Sequence, residues 1–220
     1  MPDDADAPAA GAAVWYFDVV SPFAYLAFPK VLAVARRHPV LLRPIVFGAV
    51  LTHWGQLGPA EIAPKRTHTY QLCQFLAGRA GMPLRFPPRH PFRSLEALRL
   101  LAALDGGVDA VRAVFDFVWA EGRDPSGPGG RNALCARLGV ADYDALVAER
   151  DAKARLHAWT DTAIAAGVFG VPTLAAGGAL FWGLDAMPMA EAALDDPELL
   201  RRGEMARIAS LPVGVQRRIA

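Results

Sequence analysis

The spacing of hydrophobic positions near the amino terminus predicts a strand, a helix and a second strand. Residues 14–19 form an apolar run of strand length, and residues 22–37 are typical of a helix with proline in its first turn. Pro39 ends this helix, because the residue before a proline avoids the helical region. Residues 40–47 form a second short run with β-branched side chains, and Pro44 within it indicates an edge strand. This order predicts a parallel βαβ unit with a right-handed crossover.

The middle of the chain has helical periodicity. Residues 48–64 are rich in glycine and proline and are predicted to form a loop. Ser94 is a good N-cap, although the acidic residue that would complete a capping box comes one position early. Helices are predicted over residues 65–80, from 94 onward, and over 108–121, 130–138 and 142–166, with a glycine-rich linker over 122–130.

The hydrophobic period changes again near residue 170. Residues 170–176 and 179–182 are predicted strands, and Gly177-Gly178 between them is typical of a tight hairpin turn. Asp185 is predicted to begin a final helix that ends near Leu194. The whole order, βαβ followed by helices and then ββα, predicts a thioredoxin-like α/β fold with a large all-helical insertion.

This order divides the chain into two predicted domains. Residues 14–60 and 167–220 form the thioredoxin-like domain, so its sheet is shared between distant segments, and residues 61–166 form the helical insertion. Residues 1–13 are rich in Asp, Ala and Pro and lack the basic start of a signal peptide. They are predicted to be a disordered tail.

Composition narrows the classes of partner. The 220 residues carry a formal net charge of +1, which gives no reason to expect a nucleic acid. No run approaches the roughly 18 apolar residues that span a bilayer, so no membrane segment is predicted. Cys73 and Cys135 form no C-x-x-C pair and are predicted to be buried thiols in a cytoplasmic protein. The five histidines lack metal-ligand spacing, so no metal site is predicted.

Ser21 is the first candidate for chemistry, because it lies between the first strand and the first helix. Ser21-Pro22 is also a common helix cap, and this simpler interpretation stays open. The position follows a predicted central strand, at the end where α/β folds bind ligands. Free N–H groups and the helix dipole there favour an anion such as a thiolate. Since no cysteine occupies the position, a bound cofactor would supply the thiol, and glutathione is the obvious candidate.

Three further segments are candidates for contact with such a ligand. A cis Val171-Pro172 bond would present the Val171 backbone to an extended peptide, although spacing alone favours an ordinary trans turn. Asp185 is either a helix cap or a carboxylate that receives a ligand's ammonium group. Gln56 and Lys65 offer an amide and a cation to an anionic ligand, or are ordinary solvated residues.

Together, four segments resemble the 2-hydroxychromene-2-carboxylate isomerase family, which includes the Kappa-class glutathione transferases. Both belong to the DsbA-like branch of the thioredoxin fold. The resemblance covers about residues 14–195, and the segments that carry it are Phe17-Asp18-Val19-Val20-Ser21-Pro22-Phe23-Ala24-Tyr25-Leu26, Leu42-Arg43-Pro44, Phe169-Gly170-Val171-Pro172-Thr173 and Trp182-Gly183-Leu184-Asp185.

The resemblance implies how glutathione would be held. Ser21 would hydrogen-bond the thiol and keep it as a thiolate, acting as a donor to sulfur rather than as an acyl nucleophile. Val171, before a cis Pro172, would pair with the cysteinyl backbone. Asp185 and the backbone of Ala186 would hold the γ-glutamyl end.

The resemblance also implies the reaction, a reversible addition of the thiolate that isomerises a small aromatic-degradation intermediate. Gln56 falls where the family often has an asparagine at the glycyl end of glutathione, and Lys65 matches a family lysine. Phe23, Trp54 and Lys65 are the predicted substrate contacts. The family resemblance further implies a homodimer.

The chain departs from the family pattern mainly on the substrate side. His68 replaces a usual tyrosine, Leu72 an aspartate, Arg93 an asparagine, and Ala186 an arginine. These departures leave the substrate open. Two alternatives therefore remain beside the isomerase: a Kappa-like transferase or peroxidase, and a thioredoxin-fold protein that binds glutathione or a peptide without turnover.

Overall fold

A four-stranded mixed sheet forms the centre of the protein in the computed structural model, which describes residues 11–215. The strand order is β2-β1-β3-β4; β1 is parallel to β2 and antiparallel to β3, and β3 forms a hairpin with β4. This arrangement confirms the predicted thioredoxin-like α/β fold and the edge position of the strand that contains Pro44. The strands are β1 (Ala13–Phe17), β2 (Val40–Pro44), β3 (Thr173–Ala176) and β4 (Ala179–Trp182).

Helices cover the sheet, and six of them come from the segment between β2 and β3 that follows the second helix. A π-helical turn, Asp116–Ala120, extends the fifth helix, and short 3₁₀ turns cover Pro59–Glu61 and Leu199–Arg201. The α-helices within residues 11–215 are α1 (Pro22–Ala35), α2 (Phe47–Trp54), α3 (Ala63–Ala80), α4 (Leu95–Ala103), α5 (Val108–Phe115), α6 (Gly127–Arg137), α7 (Tyr143–Glu149), α8 (Ala152–Ala165), α9 (Met187–Asp195) and α10 (Gly203–Ile208).

Aromatic packing anchors β1 in the core. All five residues of β1 are buried, so both faces of this strand are covered. Trp15 stacks on Phe17 with ring centroids 4.6 Å apart and on Phe28 of α1 at 5.8 Å. Phe115, at the end of α5, lies 5.5 Å from Phe17 and 5.4 Å from Phe28. Phe115 therefore ties the helical segment to the aromatic core around β1.

Several local predictions are confirmed. Gly177 and Gly178 have φ angles of 57° and 82° and form the hairpin turn, which needs positive φ at both positions. The Val171-Pro172 bond is cis. Cys73 and Cys135 are both buried and free.

The predicted loop over residues 48–64 is wrong in its first half, which forms most of α2. The local sequence offers no capping side chain for this helix. Its start is held instead by distant partners: Asp18 Oδ2 accepts the Phe47 N–H at 3.0 Å, and Thr160 Oγ1 accepts the Val46 N–H at 3.1 Å. The helix is therefore capped by the tertiary structure, which the local pattern does not reveal.

Two other helix predictions need correction. The single helix predicted over 142–166 is two helices, α7 and α8, because Asp151 between them has a left-handed φ of 45°. The final helix starts at Met187 rather than at Asp185, and its N-cap position is Ala186. Asp185 is therefore not the cap. Pro188 in the first turn was the local signal for this boundary.

The predicted strand over 170–176 starts only at Thr173. Residues 1–10 of the tail predicted over 1–13 lie outside the described residues. The last residue of that prediction is wrong, because Ala13 is fully buried in β1. Among residues 11–215, no helix combines the length and hydropathy needed to cross a membrane. The same part of the chain contains no cluster of three or more His, Cys, Asp or Glu side chains that could hold a metal ion.

Gly106 marks a close contact between the end of α4 and the edge strand. Its φ is +65°, and an added Cβ would lie 2.3 Å from the Leu42 carbonyl oxygen. We expect Gly106→Ala to lower the free energy of unfolding by about 2–4 kcal/mol, since it adds a backbone clash to left-handed strain. Gly139→Ala is the matched control: its φ is +67° but nothing lies within 4 Å, so about 1 kcal/mol is expected. Urea unfolding measures both, and equal losses would contradict the clash.

Candidate active site

Three chain segments meet at one end of the sheet. The antiparallel register pairs Tyr16 with Thr173, so the cis proline segment before β3 runs beside the residues that follow β1. The Ile45 N–H donates to the Phe17 carbonyl at 2.8 Å, which brings the start of α2 to the same place. The loop before α1, the cis proline segment and the first turn of α2 therefore form one site.

Ser21 sits at the start of α1 and is 8% exposed. Its Oγ accepts the Ala24 N–H at 3.3 Å, which confirms the predicted helix cap. The hydroxyl proton of Ser21 is not used by this bond, and within residues 11–215 the Phe23 N–H has no acceptor. One O–H and one N–H donor thus lie together at the positive end of a helix, an arrangement that favours an anion.

Side chains from distant parts of the chain hold the loop that carries Ser21. The Trp119 indole N–H donates to the Val19 carbonyl at 2.9 Å, and His90 Nε2 donates to the Val20 carbonyl at 2.8 Å. Neither residue was predicted from the sequence to have a role in the site. The only local signal was a histidine followed by proline in a proline-rich turn, which does not predict a contact 70 positions away.

Asp18 is a buried carboxylate at the base of this loop and is 2% exposed. Its oxygens accept the Val20 N–H and the Phe47 N–H, each at 3.0 Å, so it joins the loop to the start of α2. Burial raises the pKa of Asp18 to about 6, although hydrogen bonds from those two N–H groups and from Ser94 oppose the increase. Asp18 belongs to a segment that carries the family resemblance, but no function was predicted for it from the sequence.

The raised pKa of Asp18 predicts a pH-dependent stability. Between the ordinary value of 3.8 and about 6, the folded protein binds more protons than the unfolded chain. The contribution of Asp18 to the free energy of unfolding is therefore full below the lower value and is lost as pH rises through about 6. The expected loss is on the order of 3 kcal/mol. Urea unfolding between about pH 4 and pH 7 should show this slope in the wild type and not in Asp18→Asn; parallel profiles would contradict it.

The cis proline segment presents two unpaired backbone groups, both of Val171. Within the described residues, neither the N–H nor the carbonyl of Val171 makes a hydrogen bond. The Pro172 carbonyl accepts the Gly183 N–H at 2.9 Å, which brings the segment after β4 to the site. The exposed Asp185 turns its carboxylate toward Gly183, and Ala186 follows at the N-cap position of α9. The structure thus brings the predicted residues Val171, Pro172, Asp185 and Ala186 into one region.

Exposed aromatic side chains flank the cis proline segment. Trp54, at the end of α2, is 43% exposed, and its indole N–H donates to the Val168 carbonyl at 2.9 Å. Phe169 and Trp182 make an edge contact with ring centroids 5.3 Å apart, and the Trp182 indole lies directly over Gly170. An apolar wall of three rings therefore borders the site.

The remaining predicted residues are less closely tied to Ser21. Phe23 is partly buried in the first turn of α1. Gln56 and Lys65 are both exposed, the first just after α2 and the second in the first turn of α3. In the part of the chain that the structure describes, no hydrogen bond or ion pair joins either side chain to Ser21, Val171 or Asp185.

A groove of about 230 Å³ opens between α1 and α3, next to the segment after β4. Its walls are apolar except for two cations, Lys30 and Arg79. An acidic group placed there would meet positive charge beside an apolar surface. The groove is lined by Leu26, Lys30, Leu76, Arg79, Ala80 and Leu184.

Neither cysteine thiol belongs to the site. Burial raises the pKa of Cys73 to about 12 and also raises the pKa of Cys135. A buried thiol that stays protonated is a poor nucleophile. Any thiol chemistry at Ser21 therefore requires a thiol from outside the chain.

Comparison with known proteins agrees with this architecture. A family model described as a DsbA-like thioredoxin domain matches residues 13–195. A 2-hydroxychromene-2-carboxylate isomerase of Pseudomonas putida is 29% identical over 187 residues, which cover 82% of this chain and 92% of that protein. Glutathione S-transferase kappa 2 of Caenorhabditis elegans is 29% identical over 178 residues, covering 72% and 77%.

A solved structure of a 2-hydroxychromene-2-carboxylate isomerase has the same overall arrangement. It superposes with a TM-score of 0.70 at 27% sequence identity, covering 90% of this chain and 100% of that one. Residues 13–195, which the family model matches, include every strand of the sheet and helices α1 to α9. The chain therefore belongs to the DsbA-like thioredoxin domain family.

Proposed function

We propose that this protein is a glutathione-dependent isomerase of the 2-hydroxychromene-2-carboxylate type. The observation that carries the proposal is the pair of unused donors at the start of α1, the Ser21 hydroxyl and the Phe23 N–H, in a site without a cysteine. Donors of this kind stabilise a thiolate that the chain itself does not contain. The isomerases among the relatives support the choice of reaction.

The unpaired backbone groups fit a peptide cofactor. The Val171 N–H and carbonyl can form two hydrogen bonds with an extended cysteinyl residue. Asp185 and the backbone of Ala186 would hold the γ-glutamyl end, and Gln56 the glycyl end. Phe23, Trp54 and Lys65 would contact the substrate, with Lys65 supplying a positive charge for its carboxylate.

The mechanism assigned to the chain's own residues is electrostatic. When bound, glutathione would supply a nucleophilic sulfur for reversible addition to a conjugated double bond of the substrate, which becomes a single bond about which rotation is possible until the thiolate is eliminated. The Ser21 O–H would donate to that sulfur, while the Phe23 N–H and the dipole of α1 would stabilise its negative charge. Asp18 holds the loop through the Val20 N–H, so the donors need no rearrangement during turnover.

Purified protein with 2-hydroxychromene-2-carboxylate, with and without glutathione, tests this function. We expect interconversion only when glutathione is present, with the total thiol concentration unchanged at equilibrium. Glutathione consumed in proportion to substrate would identify a Kappa-like transferase or peroxidase instead, the second candidate, which the kappa relative favours. Saturable glutathione binding without turnover of any electrophile would leave only a binding function.

We further propose a homodimer, on the family resemblance, and a cytoplasmic location, on the two buried free cysteines. Each subunit would consist of a thioredoxin-like domain and a helical insertion over residues 61–166, on the order of the elements. Analytical ultracentrifugation measures the oligomeric state directly. A monomer at all concentrations would contradict this part of the proposal.

A further inference from the structure

We propose that His90 is a positioning residue for Ser21 and acts through the peptide bond between Val20 and Ser21. This inference rests on the proposed function, in which the Ser21 hydroxyl holds a thiolate. His90 lies in the turn before α4, and its partner Tyr70 lies on α3, so both come from the helical segment rather than from the sheet.

The peptide unit between Val20 and Ser21 is held at both ends. Its carbonyl accepts a hydrogen bond from His90 Nε2 at 2.8 Å, and its N–H donates to the Asp18 carbonyl at 3.0 Å. A peptide unit is planar, so fixing its oxygen and its N–H fixes the orientation of the whole plane. The direction in which the Ser21 side chain leaves the backbone follows from that plane.

Tyr70 in turn holds the His90 ring. The Tyr70 hydroxyl lies 2.6 Å from His90 Nδ1 and 2.9 Å from the His90 carbonyl. Because a carbonyl can only accept, the bond to Val20 assigns a proton to His90 Nε2. In the neutral ring Nδ1 is then an acceptor, so the single proton of the Tyr70 hydroxyl is shared between Nδ1 and the His90 carbonyl. Burial lowers the pKa of His90, which favours this neutral form.

Aromatic packing keeps the His90 ring in place. Its centroid lies 5.4 Å from Trp119, 5.9 Å from Phe86 and 6.0 Å from Phe92. Trp119 holds the neighbouring Val19 carbonyl, so two adjacent rings of one cluster hold two consecutive carbonyls of the Ser21 loop. Removing the His90 donor would free one of these carbonyls and allow the peptide plane before Ser21 to turn.

Three variants separate the hydrogen bond from the packing. His90→Phe keeps a ring but removes the donor, His90→Gln removes the ring but keeps an N–H of similar reach, and Tyr70→Phe removes only the hydroxyl. His157→Phe, at an exposed histidine of α8, is the matched control. The two readouts are the ultraviolet absorbance of bound glutathione thiolate at neutral pH, and kcat and KM for the isomerisation.

We expect His90→Phe to lower the thiolate absorbance and to lower kcat about ten- to a hundredfold, with KM changed less than about threefold. His90→Gln should retain most of the wild-type thiolate absorbance and kcat. Tyr70→Phe should give values between those of the wild type and His90→Phe, and His157→Phe should match the wild type. Wild-type thiolate absorbance in His90→Phe, or equal damage in His90→Phe and His90→Gln, would overturn the positioning role alone. Absence of thiolate in the wild type, or its persistence in Ser21→Ala, would overturn the proposed function and this inference with it.

Discussion

Ser21→Ala is expected to lower kcat/KM for glutathione-dependent isomerisation about 10²- to 10³-fold. The alanine removes the Ser21 hydroxyl proton, and losing one well-placed donor to a developing anion has an effect of this size. The Ser21 side chain also caps α1, so the variant should lose about 1 kcal/mol of stability. Initial rates at saturating and limiting glutathione, together with urea unfolding, measure both effects.

Asp142→Ala is the control for the loss of the helix cap. Asp142 caps α7 by accepting the Ala145 N–H at 3.0 Å, in a helix that contributes no residue to the site. It should show a similar loss of stability with unchanged turnover. If Ser21→Ala kept the wild-type rate, or if Asp142→Ala lost as much activity, Ser21 would be a structural cap and not the donor to sulfur.

Trp119→Ala is expected to give the largest loss of stability, about 3–5 kcal/mol. The side chain is fully buried in the π-helical turn after α5, so its removal leaves a large cavity among aromatic rings. The variant also leaves the Val19 carbonyl without the indole donor. Chemical unfolding should show the effect as a lower midpoint with an unchanged slope.

Two further tryptophan variants divide this effect. Trp119→Phe keeps an aromatic ring but no donor, and about 1–3 kcal/mol should be lost for the unpaired carbonyl and the smaller ring. Trp182→Ala, at a side chain that is 51% exposed, should cost about 1 kcal/mol or less. Equal losses for Trp119→Ala and Trp182→Ala would show that the helical segment does not anchor the Ser21 loop.

The difference between α1 and α2 shows how far local patterns reach. Adjacent residues indicate the start of α1, since Ser21 caps it and Pro22 occupies its first turn. No adjacent residue indicates the start of α2, because its cap is the Asp18 carboxylate, 29 positions earlier in the chain. A pattern search that compares neighbouring residues finds the first helix and misses the second.

The candidate site divides in the same way. Ser21 and Val171-Pro172 were identified as candidates from the sequence, because a cap and a proline before a strand are local signals. The cis form of the Val171-Pro172 bond was implied only by the family resemblance, since spacing alone favoured trans. No role was predicted for Asp18, because the burial of its carboxylate depends on the distant residues that pack over it. Tyr70, His90 and Trp119 came into contact with the loop only on folding.

By itself the sequence determined the order of the four strands along the chain, the hairpin at Gly177-Gly178 and the serine at the start of α1. These features depend on backbone preferences and hydrophobic periods that act over a few residues. The tertiary structure alone decided which side chains hold the Ser21 loop, how Asp18 becomes a buried carboxylate with a raised pKa, and where α2 begins. Hydrogen bonds across 29 to 100 positions and the loss of solvent around a charge exist only once the chain has folded.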